Sequence, residues 1–195
     1  MKNFVFLTSH LHSGYSKLLE CLNTHPQCQF LDSERAYDNI TMFEAVWSKP
    51  HKYKMSGAVH GDCLLLNTDL RNYAFLPFCK FIFLIQSPKS VINNLIAINK
   101  MKPIVALNAY SFRLRRMYEL ARRKREGVFL LYSDLQEGKG YEYIERYLGL
   151  RTPLEKVQFP EHQYKEKADY ELTQSATLIF ERYYYLFSQL RLNRL

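Results

Sequence analysis

A continuous run of apolar residues, KFIFLI at Lys80–Ile85, constrains the fold of this chain more than any other segment. Because the run does not alternate between apolar and polar residues, it predicts a strand that is buried on both faces, as the central strands of parallel sheets are. Similar β-prone runs occur at Asn3–Leu7 and Val128–Tyr132, and shorter ones at Gln29–Leu31 and Ala58–His60. These runs together predict a buried parallel sheet.

Helical patterns separate these strands, as the crossover connections of a parallel sheet require. The first spans Ser16–Thr24 and ends at His25–Pro26, since the residue before a proline is disfavoured in a helix. The longest spans Pro103–Lys124, and its apolar stripe leaves Arg113 on another face. The other predicted helices are Asp38–Trp47, Asn67–Tyr73, Lys89–Asn99, Gly140–Tyr147 and Leu172–Leu190. A turn is predicted at Ser133–Asp134, and loops are predicted at Lys49–Met55 and Pro153–Lys167.

The composition fits one globular domain that covers residues 1–195. The chain is 47% hydrophobic and 24% charged, which is ordinary, and its 15 Tyr and 13 Phe argue against disorder. It contains no internal repeat and no linker that would divide it in two. With the alternation of strands and helices, these observations predict an α/β fold, a three-layer α/β/α arrangement with a central parallel sheet.

The net charge is +8, and part of this excess lies in the basic run Arg113–Arg125. A basic excess suggests an anionic ligand or partner, although a solvated helix face explains the run equally well. A nucleic-acid surface is disfavoured, because the run shares its helix with an apolar stripe and no nucleic-acid motif accompanies it.

The four cysteines form no CxxC pair, so we predict a reduced, cytoplasmic protein with no metal site. Neither a signal peptide nor a membrane span is predicted, because the apolar runs are too short. His10 and His51 are predicted to lie on the surface. The Tyr-rich final helix is predicted to pack on the core, with a second subunit in a homodimer as the alternative.

The segment Ser9–Ser16 links the first strand to the first helix and is a candidate anion site. A helix N-terminus carries unpaired N–H groups and the positive end of the helix dipole, so phosphate or sulfate binds there readily. Gly14 would let the backbone approach an anion, and Ser13, Ser16 and His12 could add side-chain donors. The turn is not a Walker A loop, because no Gly-Lys-Ser/Thr ends it. An ordinary strand–helix connection is the alternative.

Three segments of the chain together resemble the sulfotransferase family. FVFLTSHLHSGYSKLLECLNTHPQ is similar to the family's opening strand, Arg-Ser-Gly-Thr-Thr turn and helix closing on His-Pro, with matches at Ser13, Gly14, His25 and Pro26. KFIFLIQSPKSVINNLI is similar to the second signature, a strand closing on Arg-Asp-Pro with a Ser in the following helix. FRLRRMYELARRKREGVFLLYSDLQ and YIERYLGL are similar to the third segment. The three blocks follow the family's order and spacing over about residues 3–150.

The resemblance implies a P-loop NTPase-like fold that binds 3′-phosphoadenosine-5′-phosphosulfate (PAPS) and needs no metal. The implied reaction is transfer of the sulfuryl group to a hydroxyl or amine on a small molecule, a carbohydrate or a peptide. The 3′-phosphate would meet Gln86 and Asn94, and Tyr132 would lie near the adenine. The phosphosulfate end would lie on the residues of the turn, which are His12, Ser13, Gly14, Tyr15 and Ser16.

Neutral residues stand where the resemblance has arginines, His12 in the turn and Gln86 after the KFIFLI strand. A neutral imidazole offers one donor and becomes charged only at lower pH. Each charge-assisted bond lost would cost roughly 1.5–3 kcal/mol, about ten- to a hundredfold in affinity. The cations that could compensate are Lys17, Lys89, Arg113 and Arg115.

Transfer to a hydroxyl requires a group that can take its proton. The tyrosylprotein sulfotransferase branch is similar to this chain at Leu31–Arg35, where Glu34 lies one residue from that branch's general base. His60 follows the short strand Ala58–Val59 and is a second candidate. The candidate catalytic residues are therefore Glu34, His60 and His12, although a solvated acid and a structural histidine are the alternatives for the first two.

Two other functions stay open. Loss of the arginines at positions 12 and 86 is also what a decayed donor site would show, in a sulfotransferase-like fold that acts as a binding or structural protein. A protein that handles a different nucleotide or phosphate ester is the third alternative, although the missing Walker lysine counts against it.

Overall fold

The structure is a computed structural model that describes residues 3–31, 58–64, 76–124, 126–159 and 170–190. Three predicted elements, Asp38–Trp47, Lys49–Met55 and Asn67–Tyr73, lie outside the described residues. Residues 153–159 of the predicted loop have no regular structure, as expected, and the remainder of that loop lies outside the described ranges.

The strands of the described part form one sheet in the order β2-β3-β1-β4-β5, and each neighbouring pair is parallel. The bounds of the strands are β1 (Asn3–Ser9), β2 (Cys28–Leu31), β3 (Val59–Leu64), β4 (Cys79–Ile85) and β5 (Val128–Leu131). The bounds of the helices are α1 (Tyr15–Thr24), α2 (Pro88–Ala97), α3 (Pro103–Lys124), α4 (Tyr132–Gln136), α5 (Tyr141–Leu148) and α6 (Tyr170–Ser188). A short 3₁₀ turn, Leu76–Phe78, precedes β4.

Helices cover both faces of the sheet, which confirms the three-layer prediction. Alternate residues of β1 point to opposite faces, because side chains alternate along a strand. Phe4 and Phe6 pack with α2, α3 and α6, whereas Val5 and Leu7 pack with α1, α4 and α5. The continuous apolar run in β4 is explained in the same way, because Phe81 to Ile85 are all buried between the two helical layers.

Two strands differ from their predicted bounds. β3 runs to Leu64 rather than ending at His60, although Gly61 and Asp62 are poor strand formers. Gly61 is accommodated because the ring of Phe30 fills its side-chain space, where an added Cβ would lie 2.3 Å from a ring carbon. β5 ends at Leu131, one residue before its predicted end, because α4 begins at Tyr132 and includes the predicted turn at Ser133–Asp134.

Apart from α4, the helices of the described residues lie close to their predicted bounds, and α3 has the predicted bounds, Pro103–Lys124. Glycines in the left-handed region flank α5, with φ of 88° at Gly140 and 71° at Gly149. Among the helices of the described ranges, none is long and apolar enough to cross a membrane.

Candidate functional site

The turn between β1 and α1 presents a helix N-terminus at the carboxyl edge of the sheet. His12 and Gly14 both have positive φ, 57° and 76°, which folds the chain sharply before α1. Gly14 is the N-cap of α1, and no side chain caps the helix there. Because the first N–H groups of a helix have no partner within the helix, this turn offers backbone donors to an anion.

Gly14 is required in this turn by the position of Tyr132. A Cβ at residue 14 would lie 2.0 Å from Cε2 of Tyr132, so the aromatic ring rests directly on the glycine backbone. The ring of Tyr132 also packs edge-to-face on Phe159, with the ring centroids 5.4 Å apart. The turn after β1 and the start of α4 are therefore in direct contact through a single ring.

The serine hydroxyls of the turn are used to hold the turn itself. Ser13 is fully buried and donates from Oγ to the carbonyl of His10 at 2.7 Å. Ser9 donates from Oγ to the carbonyl of Leu84 at 2.8 Å, and the two serine hydroxyls also contact each other. Ser16 is exposed at the start of α1. Of the two serines proposed as anion donors, Ser13 is therefore buried with its hydroxyl bonded inside the turn, whereas Ser16 is exposed.

His12 is held by two asparagines that lie on and just beyond α2. Its Nε2 donates to Oδ1 of Asn99 at 2.8 Å. Nδ2 of Asn94 donates to the backbone carbonyl of His12 at 2.9 Å. Asn94 was predicted to meet a 3′-phosphate, and the structure shows its amide nitrogen bonded to the turn. Its Oδ1 is buried and accepts no hydrogen bond in the described part of the chain.

His10 is buried, so its predicted place on the surface is wrong. Its ring stacks on Tyr110 with a centroid distance of 4.5 Å, and its Nε2 lies 3.3 Å from the Tyr110 carbonyl. Only the N–H form of Nε2 can donate to that carbonyl, which leaves the lone pair on Nδ1. Burial, with the charge of Arg113 as a second cause, lowers the pKa of His10 to about 3. The ring is therefore neutral at physiological pH.

Arg113 lies beneath the turn. We predicted that it would lie on a different face of α3 from the buried apolar stripe, and this prediction is wrong. The side chain is 5% exposed. Its Nε donates to the carbonyl of Ser9 at 2.8 Å, and its Nη2 donates to Oγ1 of Thr8 at 2.9 Å and to the carbonyl of Leu64. The guanidinium therefore joins the carboxyl ends of β1 and β3. The sequence could have revealed this burial, because Arg113 follows the buried Tyr110 by three residues and so lies on the same face of the helix.

A cavity of about 490 Å³ opens beside the turn, at the carboxyl ends of β4 and β5. The ring of Tyr132 lies between the turn and the cavity, because it contacts Gly14 and also lines the cavity. Most of the lining residues have neutral polar side chains, and Lys89 is the charged residue among those described. The residues of the lining are Ile85, Gln86, Ser87, Lys89, Ser90, Asn93, Leu131, Tyr132, Ser133, Gln136 and Phe180.

Gln86 lies in the wall of this cavity and is fixed on two sides. Its Nε2 donates to Oγ of Ser90 at 3.1 Å, and its backbone carbonyl accepts from the hydroxyl of Tyr110 at 3.2 Å. Its Oε1 is buried and accepts no hydrogen bond within the described residues. Gln86 therefore lines the cavity with an amide that brings no charge.

The structure does not bring His60 to the turn. His60 pairs in register with Phe4 and Gln29, near the amino ends of the strands. It lies four residues before the end of β3, and at about 3.3 Å per residue this is roughly 13 Å from the carboxyl edge of the sheet. Glu34 lies outside the described residues. Of the three candidate catalytic residues, His12 alone is seen in the turn.

Lys17 and Arg115, proposed above as compensating cations, each have an acidic partner on their own helix. Nζ of Lys17 lies 2.8 Å from Glu20, and Nε of Arg115 lies 3.0 Å from Glu119. Within the described ranges, no group of three or more His, Cys, Asp and Glu could hold a metal ion. Arg113 contacts the carboxyl end of β1, and Lys89 lines the cavity.

Several residues of the cavity were not predicted as functional. Ser90, Asn93 and Gln136 line it, and Phe180 of α6 closes one side. Ser90 and Asn93 lie three residues apart and share one face of α2, so a helical wheel would have placed them together. The contribution of Phe180 could not be predicted, because it depends on how α6 packs across the sheet.

The fold is similar to that of mouse sulfotransferase SULT7A1 complexed with PAP, at a TM-score of 0.54 and 15% identity. The similarity covers 78% of this chain and 61% of that chain, so this chain spans about three fifths of that protein's length. Retinol dehydratase in a complex with retinol and PAP aligns at a TM-score of 0.45 and 11% identity, over 93% of this chain and 81% of that chain. The sequence matches no protein-family model and no curated protein. The sulfotransferase resemblance of the sequence is thus confirmed at the level of the fold.

Proposed function

We propose that this protein binds PAPS and transfers its sulfuryl group to a hydroxyl or an amine. The observation that carries the proposal is the contact between Tyr132 and Gly14, which puts the cavity next to the uncapped N-terminus of α1. A ligand with an anionic end and a nucleoside end can therefore occupy both parts at once. Ligands of parallel α/β sheets bind at this edge, outside the carboxyl ends of the strands.

In this proposal the phosphosulfate binds to the backbone N–H groups of Tyr15 and Ser16 at the start of α1. The nucleoside occupies the cavity against the ring of Tyr132, where the hydroxyl and amide side chains of the lining supply hydrogen bonds. Lys89 lies in the first turn of α2 and lines the same cavity, so it is the proposed partner of the 3′-phosphate. It takes over the charge that Gln86 does not provide.

His12 is the proposed general base. Its Nε2–H donates to Oδ1 of Asn99, so the lone pair of the neutral ring is on Nδ1. The acceptor oxygen or nitrogen forms a bond to sulfur while the bond between sulfur and the 5′-phosphate oxygen breaks. The acceptor proton passes to Nδ1 of His12, and the phosphate keeps the electron pair, which leaves 3′-phosphoadenosine 5′-phosphate (PAP). Glu34 is the alternative base. His60 is disfavoured as the base, because it lies near the amino ends of the strands.

A noncatalytic binding protein is the second candidate function. It is favoured by the two neutral residues at the arginine positions and by the hydrogen bonds that already occupy His12 and Asn94. In that case the cavity binds a nucleotide but no transfer follows.

Two measurements separate these functions. Isothermal titration with PAP is expected to give a dissociation constant in the micromolar range, and the absence of both heat and a thermal shift at millimolar PAP would overturn the proposal. Incubation with ³⁵S-labelled PAPS and simple acceptors, 2-naphthol, glucosamine and tyrosine amide, is then expected to yield labelled product. PAP binding without labelled product from any acceptor would support the noncatalytic function instead.

A further inference from the structure

The end of α2 and the first half of α3 carry a cluster of exposed apolar side chains. Among the residues that the structure describes, eight large apolar side chains are exposed, and four of them lie within residues 98–112. They are Ile98 at 47% exposed, Ile104 at 55%, Val105 at 47% and Phe112 at 49%. None of the four lines the cavity. A single exposed apolar residue is ordinary on a protein surface, whereas a cluster of them indicates an interaction site.

Helical spacing puts three of these side chains on one face of α3. Phe112 follows Ile104 by eight residues and Val105 by seven, so all three project from the same side of the helix, over about 12 Å of its axis. The opposite side holds Tyr110 and Leu114, which are fully buried in the core. The outer face of α3 is therefore a convex apolar ridge.

Positive charge accompanies this ridge. The chain contains no acidic residue between Asp69 and Glu119. Lys100 and Lys102 are both exposed in the connection between α2 and α3. Glu119 comes on a later turn of α3, where it pairs with Arg115 at 3.0 Å. The apolar ridge and the connection beside it therefore form a basic surface, which fits a partner that carries negative charge.

This surface is called the α2–α3 surface below. Its residues are Ile98, Lys100, Lys102, Ile104, Val105 and Phe112.

Lys100 stands at a position that the backbone would give to another residue. Its φ is 56°, in the left-handed region that favours glycine. Its Nζ donates to the carbonyl of Ala97 at 2.8 Å, which holds the ammonium at the exposed end of α2. A glycine at position 100 would relax the backbone and remove the charge. Substitution of Lys100 can therefore separate the charge of the surface from the stability of the fold.

We propose that the α2–α3 surface docks on the anionic face of a lipid bilayer. In this arrangement α3 lies along the membrane without crossing it, and its apolar side chains enter the headgroup region. Lys100 and Lys102 lie beside the anionic headgroups. The proposal does not rest on the proposed function, because neither the cavity nor a nucleotide takes part. Asn99, the partner of His12, belongs to the same connection, so docking brings the turn close to the membrane surface.

A bilayer fits this surface better than a nucleic acid does. Three of the four apolar side chains are aliphatic, and aliphatic side chains offer no ring on which a base can stack. Separate apolar tips on a convex helix enter a fluid headgroup region without needing a pocket of matching shape. Lysines beside them add attraction to anionic lipid.

The first test measures binding of the full chain to lipid vesicles by sedimentation, without nucleotide. We expect the protein to bind vesicles of phosphatidylserine and phosphatidylcholine and not vesicles of phosphatidylcholine alone. Binding should weaken as the salt concentration rises, because salt screens the attraction between lysines and headgroups. Failure to bind the vesicles that contain phosphatidylserine would overturn the proposal. So would binding to single-stranded polyuridylate without binding to these vesicles.

Matched variants test whether binding uses the α2–α3 surface. Phe112→Gln should weaken vesicle binding about tenfold, since it removes an apolar group from the headgroup region. Phe78→Gln is the control, because Phe78 is 45% exposed but precedes β4, at the opposite edge of the sheet. It should leave binding within about twofold. Equal losses in the two variants would contradict the proposed surface.

The charges are tested in the same assay. Lys100→Gly and Lys102→Gln should each weaken binding about fivefold, while urea denaturation shows no loss of stability in Lys100→Gly. Arg146→Gln is the control, since it removes one positive charge from α5, on the other face of the sheet. If Arg146→Gln weakens binding as much as Lys102→Gln does, the attraction comes from net charge alone and the proposed surface is wrong.

A direct probe of insertion is the fluorescence of Phe112→Trp, with Phe78→Trp as its control. The emission that Phe112→Trp adds to that of the single native tryptophan should shift to shorter wavelength on vesicles and be quenched by brominated lipid. The emission added by Phe78→Trp should do neither. Unquenched emission from Phe112→Trp on bound vesicles would show that the ridge does not enter the headgroup region, and the proposal would fail.

Discussion

The turn after β1 and the cavity beyond Tyr132 are built in opposite ways. In the turn, the polar side chains bond to the protein itself, with Ser13 on a backbone carbonyl and His12 on Asn99. In the cavity, hydroxyl and amide side chains border about 490 Å³ of open space. The turn is therefore a rigid support that offers backbone donors, whereas the cavity offers hydroxyl and amide side chains, of which Gln86 and Ser90 are bonded to each other.

This difference indicates that the turn would determine catalysis and that the cavity would determine ligand specificity. A rigid turn fixes the position of the reacting group, which is what a transfer reaction requires. A cavity with hydrogen-bonding side chains distinguishes one nucleoside from another. Substitutions in the two regions should accordingly change different quantities, the rate in the turn and the affinity in the cavity.

The largest expected effect is on the rate of transfer. His12→Ala removes the proposed base, so the transfer rate should fall by about 10²–10⁴-fold, while the affinity for PAP stays within about twofold. Asn99→Ala removes only the group that orients the ring, and about a tenfold fall is expected. Single-turnover measurements with labelled PAPS separate rate from affinity. An unchanged rate in His12→Ala would remove His12 from the mechanism.

The next effect is on folding. In Gly14→Ala the new residue would have a φ of 76° and a Cβ 2.0 Å from Tyr132, so we expect a loss of about 2–5 kcal/mol in the free energy of unfolding. Gly149→Ala is the matched control, because Gly149 has a φ of 71° but nothing within 4 Å of its added Cβ. It should lose about 1–2 kcal/mol. Urea denaturation gives both values, and equal losses would show that Tyr132 does not press on the turn.

A third effect concerns the stability of the turn as the pH changes. The folded protein holds His10 neutral, with a pKa lowered from 6.5 to about 3. Below about pH 6.5 only the unfolded chain takes up the proton, so stability should fall as the pH falls, by up to about 1.4 kcal/mol per pH unit, until about pH 3. His10→Phe keeps an aromatic ring against Tyr110 and does not titrate. The difference between the two stability curves should therefore grow from pH 7 to pH 5, and parallel curves would contradict the burial of His10.

The smallest effect is on affinity in the cavity. Lys89→Met should weaken PAP about tenfold and leave adenosine 5′-monophosphate, which has no 3′-phosphate, within about twofold. Lys17→Met is the control, because Lys17 pairs with Glu20 on the surface of α1. Calorimetric titration of both ligands decides the matter. Similar losses for the two ligands would mean that Lys89 does not contact the 3′-phosphate.

Most of the described fold could be predicted from the sequence, because β1, β4 and β5 are continuous apolar runs and most of the helices have clear stripes and ends. The places of the five strands seen in the described part and the bounds of α3 follow from the sequence patterns. β3 was predicted too short, because the contact that accommodates Gly61 comes from Phe30, which is distant in sequence. Local propensity cannot reveal a contact of that kind.

The site could be predicted only in part. The turn was predicted because a strand, a glycine and the start of a helix follow one another along the chain. The roles of His10 and Arg113 were missed, since a polar residue normally indicates solvent. The burial of His10 depends on Tyr110 of α3, and that of Arg113 on oxygens at the carboxyl ends of β1 and β3. Gln86 and Tyr132 of the cavity were singled out, but its remaining walls were missed, because β4, β5 and α6 contribute to it from separate parts of the chain.

The measurement that tests the central claim most directly is an NMR titration of the ¹⁵N-labelled protein with PAP. If one nucleotide spans the turn and the cavity, the backbone amides of Tyr15 and Ser16 should shift together with those of Lys89 and Ser133, along one saturation curve. Shifts confined to one of the two regions, or two different saturation curves, would contradict the account.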